Sequence, residues 1–116
     1  MKTIRLTPAQ ALVKFLVAQK IVIDGRQEQL FPGVLAIYGH GNVTSLCVYL
    51  DENRDKIKTY RGQNEQGMAL AAVGFAKAKR RQQIMVATSS IGPGALNMVT
   101  AAGVAHVDRL PVLFLA

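Results

Sequence analysis

Glu65 is the residue of this sequence whose type and position most clearly indicate chemistry. It follows Asn64 in a polar turn and opens a helical pattern that is apolar on nearly every face. Because burying a carboxylate costs free energy unless it is paired or hydrogen-bonded, an acid at the start of so apolar a helix needs a reason. Proton transfer is the ordinary chemistry of a carboxylate held in such a place.

Two glycine-rich turns carry the other candidate groups. The turn at 39–42 sets His40 between two glycines, which let the backbone bend sharply and approach a ligand. A single histidine there is either a hydrogen-bonded turn residue or a proton carrier. The turn at 89–94 (SSIGPG) is either structural or a ligand loop, since backbone N–H groups at a helix start favour anions. It matches neither the Walker pattern nor GxGxxG.

The rest of the sequence offers no second catalytic or metal-binding set. Asp108 and Arg109, close to Pro111, are interpreted as an ion pair in a loop, and His106 has no evident partner. Neither a Ser/His/Asp triad nor a metal-ligand spacing is present in the sequence. The chain is therefore predicted to have no metal site of its own.

Length and composition predict one domain or less. The chain has 116 residues, half of them hydrophobic, so it can form a packed core. The single Cys47 excludes an internal disulfide. Apolar runs stay below the ~20 residues that span a bilayer, and residues 1–10 lack a secretory pattern. A cytoplasmic protein with no membrane contact is expected.

The charge of the chain is strongly positive, at +7 from 14 cations and 7 acids. The cations gather at residues 54–61 and 77–81, and the second group complements the negative end of a helix dipole. Neither group has the interleaved aromatic residues that stack bases, and no nucleic-acid-binding motif is present. We therefore expect a solvated face or a surface for an acidic partner, and no nucleic acid.

Local signals predict the elements that must position these residues. Thr7, Pro8 and Gln10 form a capping-box pattern for a helix that runs to about Gln19 or Lys20. Asp24 and Gly25 are predicted to interrupt the regular secondary structure. One short helical turn is predicted after them, at residues 26–30. Short apolar runs predict buried parallel strands, and the segments between them predict helices. The strands are placed at residues 34–38, 57–60, 83–87 and 110–116, and the helices at 43–50 (capped by Asn42), 65–79 and 95–107.

This alternation predicts an α/β fold: a doubly wound, mostly parallel sheet with helices on both faces. Right-handed crossovers bring the three turns from strand to helix to one edge of the sheet. Residues 1–32 are predicted to form an N-terminal helix and linker, and residues 33–116 the sheet domain. Because the chain stops in an apolar strand, we expect either a truncated piece of a domain or one half of a domain whose open sheet edge pairs with a partner.

The helix at 65–79 is apolar all round, which predicts burial on every side. Gly67 and Gly74 weaken it by ~1 kcal/mol each, so close approach of a neighbouring element is expected to compensate. In so small a chain, a second subunit or domain is expected to supply much of this burial.

Three loop segments together resemble the pyrimidine-binding (PYR) domain of thiamine-diphosphate-dependent enzymes of the acetolactate synthase type. They are YGHGN, GQNEQGMALAAVGFAK and ATSSIGPGALNMVTAAGVAHVDRLPV, in the right order and spacing from about residue 33 to the end. Within that family, the Gly-His-Gly-Asn turn, the extra residue in SSIG and the leading LTPAQALVKFLVAQ look most like the ring-cleaving hydrolases of inositol catabolism. The resemblance implies a C–C bond hydrolase that acts on a cyclic 1,2-diketone.

The resemblance also assigns roles to individual residues. Glu65 is implied to hydrogen-bond the pyrimidine N1′ of the cofactor, and burial is expected to raise its pKa so that the carboxyl can hold a proton. In the first loop, Gly39, His40 and Asn42 are implied to lie near cofactor or substrate, with His40 a catalytic proton carrier. Residues of the third loop are implied to line the pyrimidine site: Ser89, Ser90 and Asn97.

The family's second half-site is missing from this sequence. The Gly-Asp-Gly…Asn motif, which binds magnesium and diphosphate, has no match here, so the diphosphate-binding domain is expected on a second subunit of a homo-oligomer. The chain alone is expected to be inactive. The alternatives are the same portion of an acetolactate synthase or 2-oxoacid decarboxylase, or a non-catalytic α/β interaction module.

Overall fold

A four-stranded parallel sheet forms the centre of the fold, seen in a computed structural model that describes residues 3–116. Helices cover both faces of this sheet, and a two-stranded hairpin lies outside it. The elements of the described residues are α1 (Pro8–Ala18), β1 (Lys20–Ile23), β2 (Arg26–Gln29), β3 (Gly33–Ala36), α2 (Leu46–Glu52), β4 (Lys58–Arg61), α3 (Glu65–Ala78), β5 (Val86–Thr88), α4 (Pro93–Leu96), α5 (Val99–Val107) and β6 (Leu113–Leu115).

The strand order of the sheet is β4-β3-β5-β6, and every neighbouring pair is parallel. The predicted doubly wound α/β fold is thereby confirmed. Because the strands are parallel, the loops that follow β3, β4 and β5 all leave the same edge of the sheet. That edge carries every candidate residue of the three glycine-rich or polar loops.

Side chains of successive residues in the central strands lie on opposite faces of the sheet and belong to two separate hydrophobic cores. In β5, Val86 packs with α1 and α2 on one face, while Ala87 packs with α3 and α5 on the other. This alternation is expected of strands that are buried on both faces. The α3 side is rich in alanine, and small side chains let a helix lie close to the sheet.

The first helix begins as predicted. Thr7 N donates to Gln10 Oε1 at 2.9 Å, and Gln10 N donates to Thr7 Oγ1 at 3.3 Å, which completes the capping box. The helix ends at Ala18, one to two residues before the predicted end.

The helical turn predicted at residues 26–30 is wrong. Residues Arg26–Gln29 form β2, which pairs antiparallel with β1. The connection is Asp24-Gly25, and both residues have positive φ (49° and 77°). Two central residues with positive φ are typical of the tight turn that joins hairpin strands. The Asp-Gly pair therefore signals a hairpin here, not only a break.

Two predicted helices differ from the observed ones. The helix predicted at 95–107 is divided into α4 and α5, because Met98 N bonds to Ala95 O in the tighter i to i+3 pattern. The helix predicted at 43–50 begins only at Leu46, and its capping residue is not Asn42. The Asn42 side chain bonds across to the third loop instead, so it is not available as a cap.

The long helix α3 has the predicted position, but the close neighbour expected at one of its glycines is not found among the described residues. Asn64 caps it by accepting a hydrogen bond from Gly67 N at 2.9 Å. A Cβ built at Gly74 meets no atom within 4 Å among the described residues, so the close neighbour expected there is not supplied by this part of the chain.

The loop ion pair predicted between Asp108 and Arg109 is also wrong. Asp108 pairs instead with Lys77 Nζ, at 3.3 Å, and so joins α5 to α3. Arg109 has a positive φ of 52° where α5 ends.

Across residues 3–116, no helix is both long enough and apolar enough to cross a membrane.

Candidate active site

The three loops at the carboxyl edge of the sheet converge on one residue, Ser90. Its side chain bonds to Glu65 in the second loop, and Gly39 of the first loop packs against it. Gly94, at the start of α4, also approaches it closely. The loops therefore lie at one edge of the sheet, as predicted, and residues that are far apart in the sequence are in direct contact there.

Glu65 is the first residue of α3 and is buried, with 8% of its surface exposed. Its Oε1 accepts a hydrogen bond from Ser90 Oγ at 2.8 Å and a longer one from Ser90 N at 3.5 Å. Among the described residues, Oε2 accepts no hydrogen bond from another residue. Ser90 thus fixes one oxygen of the carboxylate, and the other accepts no hydrogen bond from another described residue.

Glycine at position 94 makes this arrangement possible. A Cβ at Gly94 would overlap both Ser90 Oγ and Glu65 Oε1. Real Cβ atoms do not approach other atoms so closely, so any side chain there would push α4 away from the carboxylate. Gly94 lies in the third predicted turn and was not predicted as a site residue. No pattern in the sequence indicates which glycine faces the carboxylate.

The first loop is attached to the third at two points. A Cβ at Gly39 would lie 2.8 Å from Ser90 Cα, so the two backbones are in close contact. Asn42 Nδ2 donates to the Ser89 carbonyl oxygen at 3.2 Å. Gly39 and Asn42, both predicted as cofactor-binding residues, therefore support the third loop in this structure.

The pKa of Glu65 is lowered from its ordinary value, which is the opposite of the direction expected from burial. The hydrogen bond from Ser90 Oγ is the largest cause, and the backbone N–H groups of Glu65 and Ser90 act in the same direction. Burial raises the pKa, but by less than these donors lower it. Donors that point at a carboxylate stabilise its charged form, so Glu65 is ionised at neutral pH.

The remaining predicted site residues lie at different depths. His40 is exposed and lines a cavity of about 390 Å³ with Tyr38 and Val43. Ser89 is 1% exposed, and its Oγ has no hydrogen-bond partner among the described residues. Asn97 is exposed just after α4. The structure therefore joins Glu65, Ser90, Gly39 and Asn42, with Ser89 included through its backbone carbonyl, whereas His40 and Asn97 are exposed.

Tyr38 is a further residue of this edge that the sequence analysis did not single out. Burial, followed by the neighbouring Cys47, raises the pKa of Tyr38 to about 12. It lies two residues beyond the end of β3 and lines three cavities. Its position at the end of a buried strand was the available signal.

Comparison with known proteins shows the family of this chain. The family model for "Thiamine pyrophosphate enzyme, N-terminal TPP binding domain" matches residues 32–116. A 3D-(3,5/4)-trihydroxycyclohexane-1,2-dione hydrolase of Geobacillus thermodenitrificans is 56% identical over 115 residues. Hydrolases of the same name from Bacillus thuringiensis and Bacillus cereus are each 51% identical over the same length.

These relatives are much longer than the present chain. The aligned region is 99% of this chain but 18% of the length of each of the three relatives. The family match covers every residue that was predicted to act at the site, from Gly39 to Asn97. The chain belongs to the thiamine pyrophosphate enzyme family, and residues 32–116 correspond to its N-terminal TPP-binding domain.

Proposed function

We propose that this chain is the pyrimidine-binding portion of a thiamine-diphosphate-dependent hydrolase that cleaves a ring C–C bond of trihydroxycyclohexane-1,2-dione. The identity of 51–56% to hydrolases of that name, across nearly the whole chain, supports the substrate class. The observation that carries the proposal is the Glu65 carboxylate, whose Oε1 is fixed by Ser90 and whose Oε2 accepts no hydrogen bond from another described residue.

The residues present fit the pyrimidine part of the cofactor. A ring nitrogen needs one polar partner in an otherwise dry place, and Glu65 offers one open carboxylate oxygen at a buried helix start. The cradle at Gly94 leaves no room for a side chain that would cover the carboxylate. When bound, the cofactor supplies the nucleophile and the electron sink for cleavage of the C–C bond.

Glu65 would hold the pyrimidine ring of the cofactor by a hydrogen bond through its Oε2. Because its pKa is lowered, the carboxylate is ionised without a ligand and would accept that hydrogen bond from an N–H donor. A charge-assisted hydrogen bond of this kind is about twice as strong as a neutral one. His40, exposed in the first loop, is the proposed proton carrier toward the substrate.

The magnesium and diphosphate site belongs, in this proposal, to a diphosphate-binding domain of a second subunit in a homo-oligomer. Among residues 3–116, no group of three or more His, Cys, Asp or Glu side chains is arranged to hold a metal ion. The chain by itself is then inactive. We place the enzyme in the cytoplasm, where the free thiol of Cys47 would stay reduced.

A chimera tests this function. The present chain replaces the matching 115 residues of the Geobacillus thermodenitrificans hydrolase, and hydrolysis of trihydroxycyclohexane-1,2-dione is measured with and without thiamine diphosphate. We expect cofactor-dependent activity that falls by about 10²-fold or more in Glu65→Gln, since positioned acid–base groups contribute roughly 10²–10⁴-fold. Glu28→Gln, at an exposed position of β2, is the matched control and should retain activity.

Three outcomes would contradict the proposal. Activity on 2-oxoacids but not on the dione would favour an acetolactate synthase or decarboxylase. A folded but inactive chimera, beside an active parent enzyme, would favour a non-catalytic interaction module. Full activity of the Glu65→Gln variant would remove Glu65 from its proposed role.

A further inference from the structure

Ser90 stands between Glu65 and the two loops that flank it. It donates to Glu65 Oε1 through both its hydroxyl and its backbone N–H. We propose that Ser90 is a positioning residue, which holds the Glu65 carboxylate in one orientation so that Oε2, and not Oε1, meets the ligand. The consequence for catalysis depends on the proposed function, whereas the positioning itself does not.

The geometry favours positioning over direct binding of the ligand by Ser90. A serine hydroxyl has one proton to donate, and in this structure that proton is directed at Glu65 Oε1, 2.8 Å away. The residue is also confined, because the backbone of Gly39 and the start of α4 at Gly94 lie against it on two sides. Ser90 is therefore surrounded by protein contacts where the resemblance implied a cofactor contact.

The loop that carries Ser90 is built to hold it there. Gly92, just before α4, has a φ of 60°, in the left-handed region that favours glycine. Asn42 Nδ2 binds the Ser89 carbonyl, and Ser89 N donates to Leu115 O at 3.1 Å. With the residue before it bonded on both sides, Ser90 has little freedom to move away from the carboxylate.

Positioning matters because a glutamate side chain has three rotatable bonds. Without a partner for Oε1, the carboxylate loses rotamer freedom only when the ligand binds, and that ordering weakens binding. With Ser90 in place, the ordering is completed when the protein folds. A misplacement of about 1 Å at a reacting group can cost about a hundredfold in rate.

The first test follows the titration of Glu65 in the present chain, without cofactor. The side-chain carboxyl carbons of glutamate are labelled with ¹³C, their NMR shifts are followed from acid to neutral pH, and Glu65→Gln assigns the signal. Ser90→Ala should move the Glu65 pKa upward, toward its ordinary value, because the largest donor is lost. Ser90→Cys keeps the size with a weaker donor and should give an intermediate shift.

Ser89→Ala is the matched control for this titration. Its hydroxyl is buried and has no partner among the described residues, so its removal should leave the Glu65 titration unchanged. An unchanged Glu65 pKa in both Ser90 variants, or an equal shift in Ser89→Ala, would overturn the inference. If Ser90→Ala does not fold, Ser90→Cys decides it.

The second test uses the chimeric hydrolase and separates positioning from the function itself. Ser90→Ala should lower kcat by about ten- to a hundredfold while the KM for the dione changes little. A rise in KM with unchanged kcat would instead mean that Ser90 contacts the substrate and would overturn the inference. If the unmodified chimera is inactive, the proposed function fails, and the titration still decides the role of Ser90.

Discussion

At the scale of single residues, Glu65 shows how two opposite effects on one carboxylate are resolved. Burial disfavours the charged form, and the sequence analysis expected burial to dominate. The structure places three hydrogen-bond donors on the carboxylate, from Ser90 and from the Glu65 backbone, and their combined effect is larger. The result is a site prepared to receive a cation or an N–H donor, which suits a protonated ring nitrogen better than a neutral one.

This residue should also contribute to stability in a pH-dependent way. Its pKa is lower in the folded chain than its ordinary value of 4.5, so the ionised form stabilises the fold above pH 4.5. That contribution is lost as the pH falls through the lowered folded pKa. Urea unfolding between about pH 7 and pH 3 should show a smaller acid-induced loss of stability in Glu65→Gln than in the unmodified chain.

The control for this experiment is Glu28→Gln, at an exposed position of β2. It should follow the unmodified chain across the whole pH range. If the free energy of unfolding of Glu65→Gln has the same pH dependence as that of the unmodified chain, the Ser90 hydrogen bonds do not favour the ionised form. The assignment of a lowered pKa to Glu65 would then be wrong.

At the scale of elements, the contact between the starts of α3 and α4 depends on Gly94. We predict that Gly94→Ala lowers the free energy of unfolding by about 1–3 kcal/mol, because the added methyl group overlaps Ser90 and Glu65. The matched control is Gly74→Ala within α3, where a Cβ meets open space. That change should raise the free energy of unfolding by about 0.5–1 kcal/mol, since alanine is the better helix former.

Thermal or urea unfolding of the two glycine variants measures this difference. Opposite signs for the two variants are the expected result. A neutral Gly94→Ala would mean that α4 can shift at little cost, and the close contact at Glu65 would then not constrain the site.

Elements whose signals are local were predictable from the sequence. The capping box from Thr7 to Gln10 lies within four residues; it was predicted and is present. The Asn64 cap of α3 is equally local but was not predicted. Asn42 was misjudged because its choice of partner is not local. Its side chain bonds to Ser89, 47 residues away, and an isolated sequence cannot rank that partner above the nearby helix start.

The site was predictable to the same extent. Strand and turn patterns placed Glu65 and residues 89–94 at one edge of the sheet, and the parallel sheet confirms that edge. The contact between Glu65 and Ser90 spans 25 residues and depends on the close approach of Gly94, which no pattern in the sequence encodes. The direction of the Glu65 pKa follows from that contact, and so it was predicted wrongly.

At the scale of the whole molecule, several apolar side chains of α3 and α5 are exposed, and we call them the α3–α5 surface. Helix α5 buries Ala101 and Ala105, while Val99 and Val107 are exposed, and Leu70 on the neighbouring α3 is also exposed. A helix that is apolar all round is normally covered on every side. Small residues on the same two helices, Gly74 and Gly103, have open space around them and would let another helix approach.

We predict that a second copy of the chain covers this surface. The cations at the end of α3 border the Val107 end of this surface, where Lys77 pairs with Asp108 and Arg81 donates to the backbone of Asp108 and Arg109. Analytical ultracentrifugation should show concentration-dependent self-association. Val107→Lys should weaken it about tenfold or more, since burying one valine contributes about 1.5 kcal/mol.

Val22→Lys is the matched control, because Val22 is 69% exposed on the hairpin strand β1, against 79% for Val107 on α5. It adds the same charge on a different element, so it separates loss of apolar contact from general repulsion in a chain that already carries +7. We expect it to leave association nearly unchanged at moderate salt, where surface charges are screened beyond about 10 Å. Equal weakening by both substitutions would assign the effect to net charge, and a monomeric unmodified chain at high concentration would show that the α3–α5 surface does not bind a second copy.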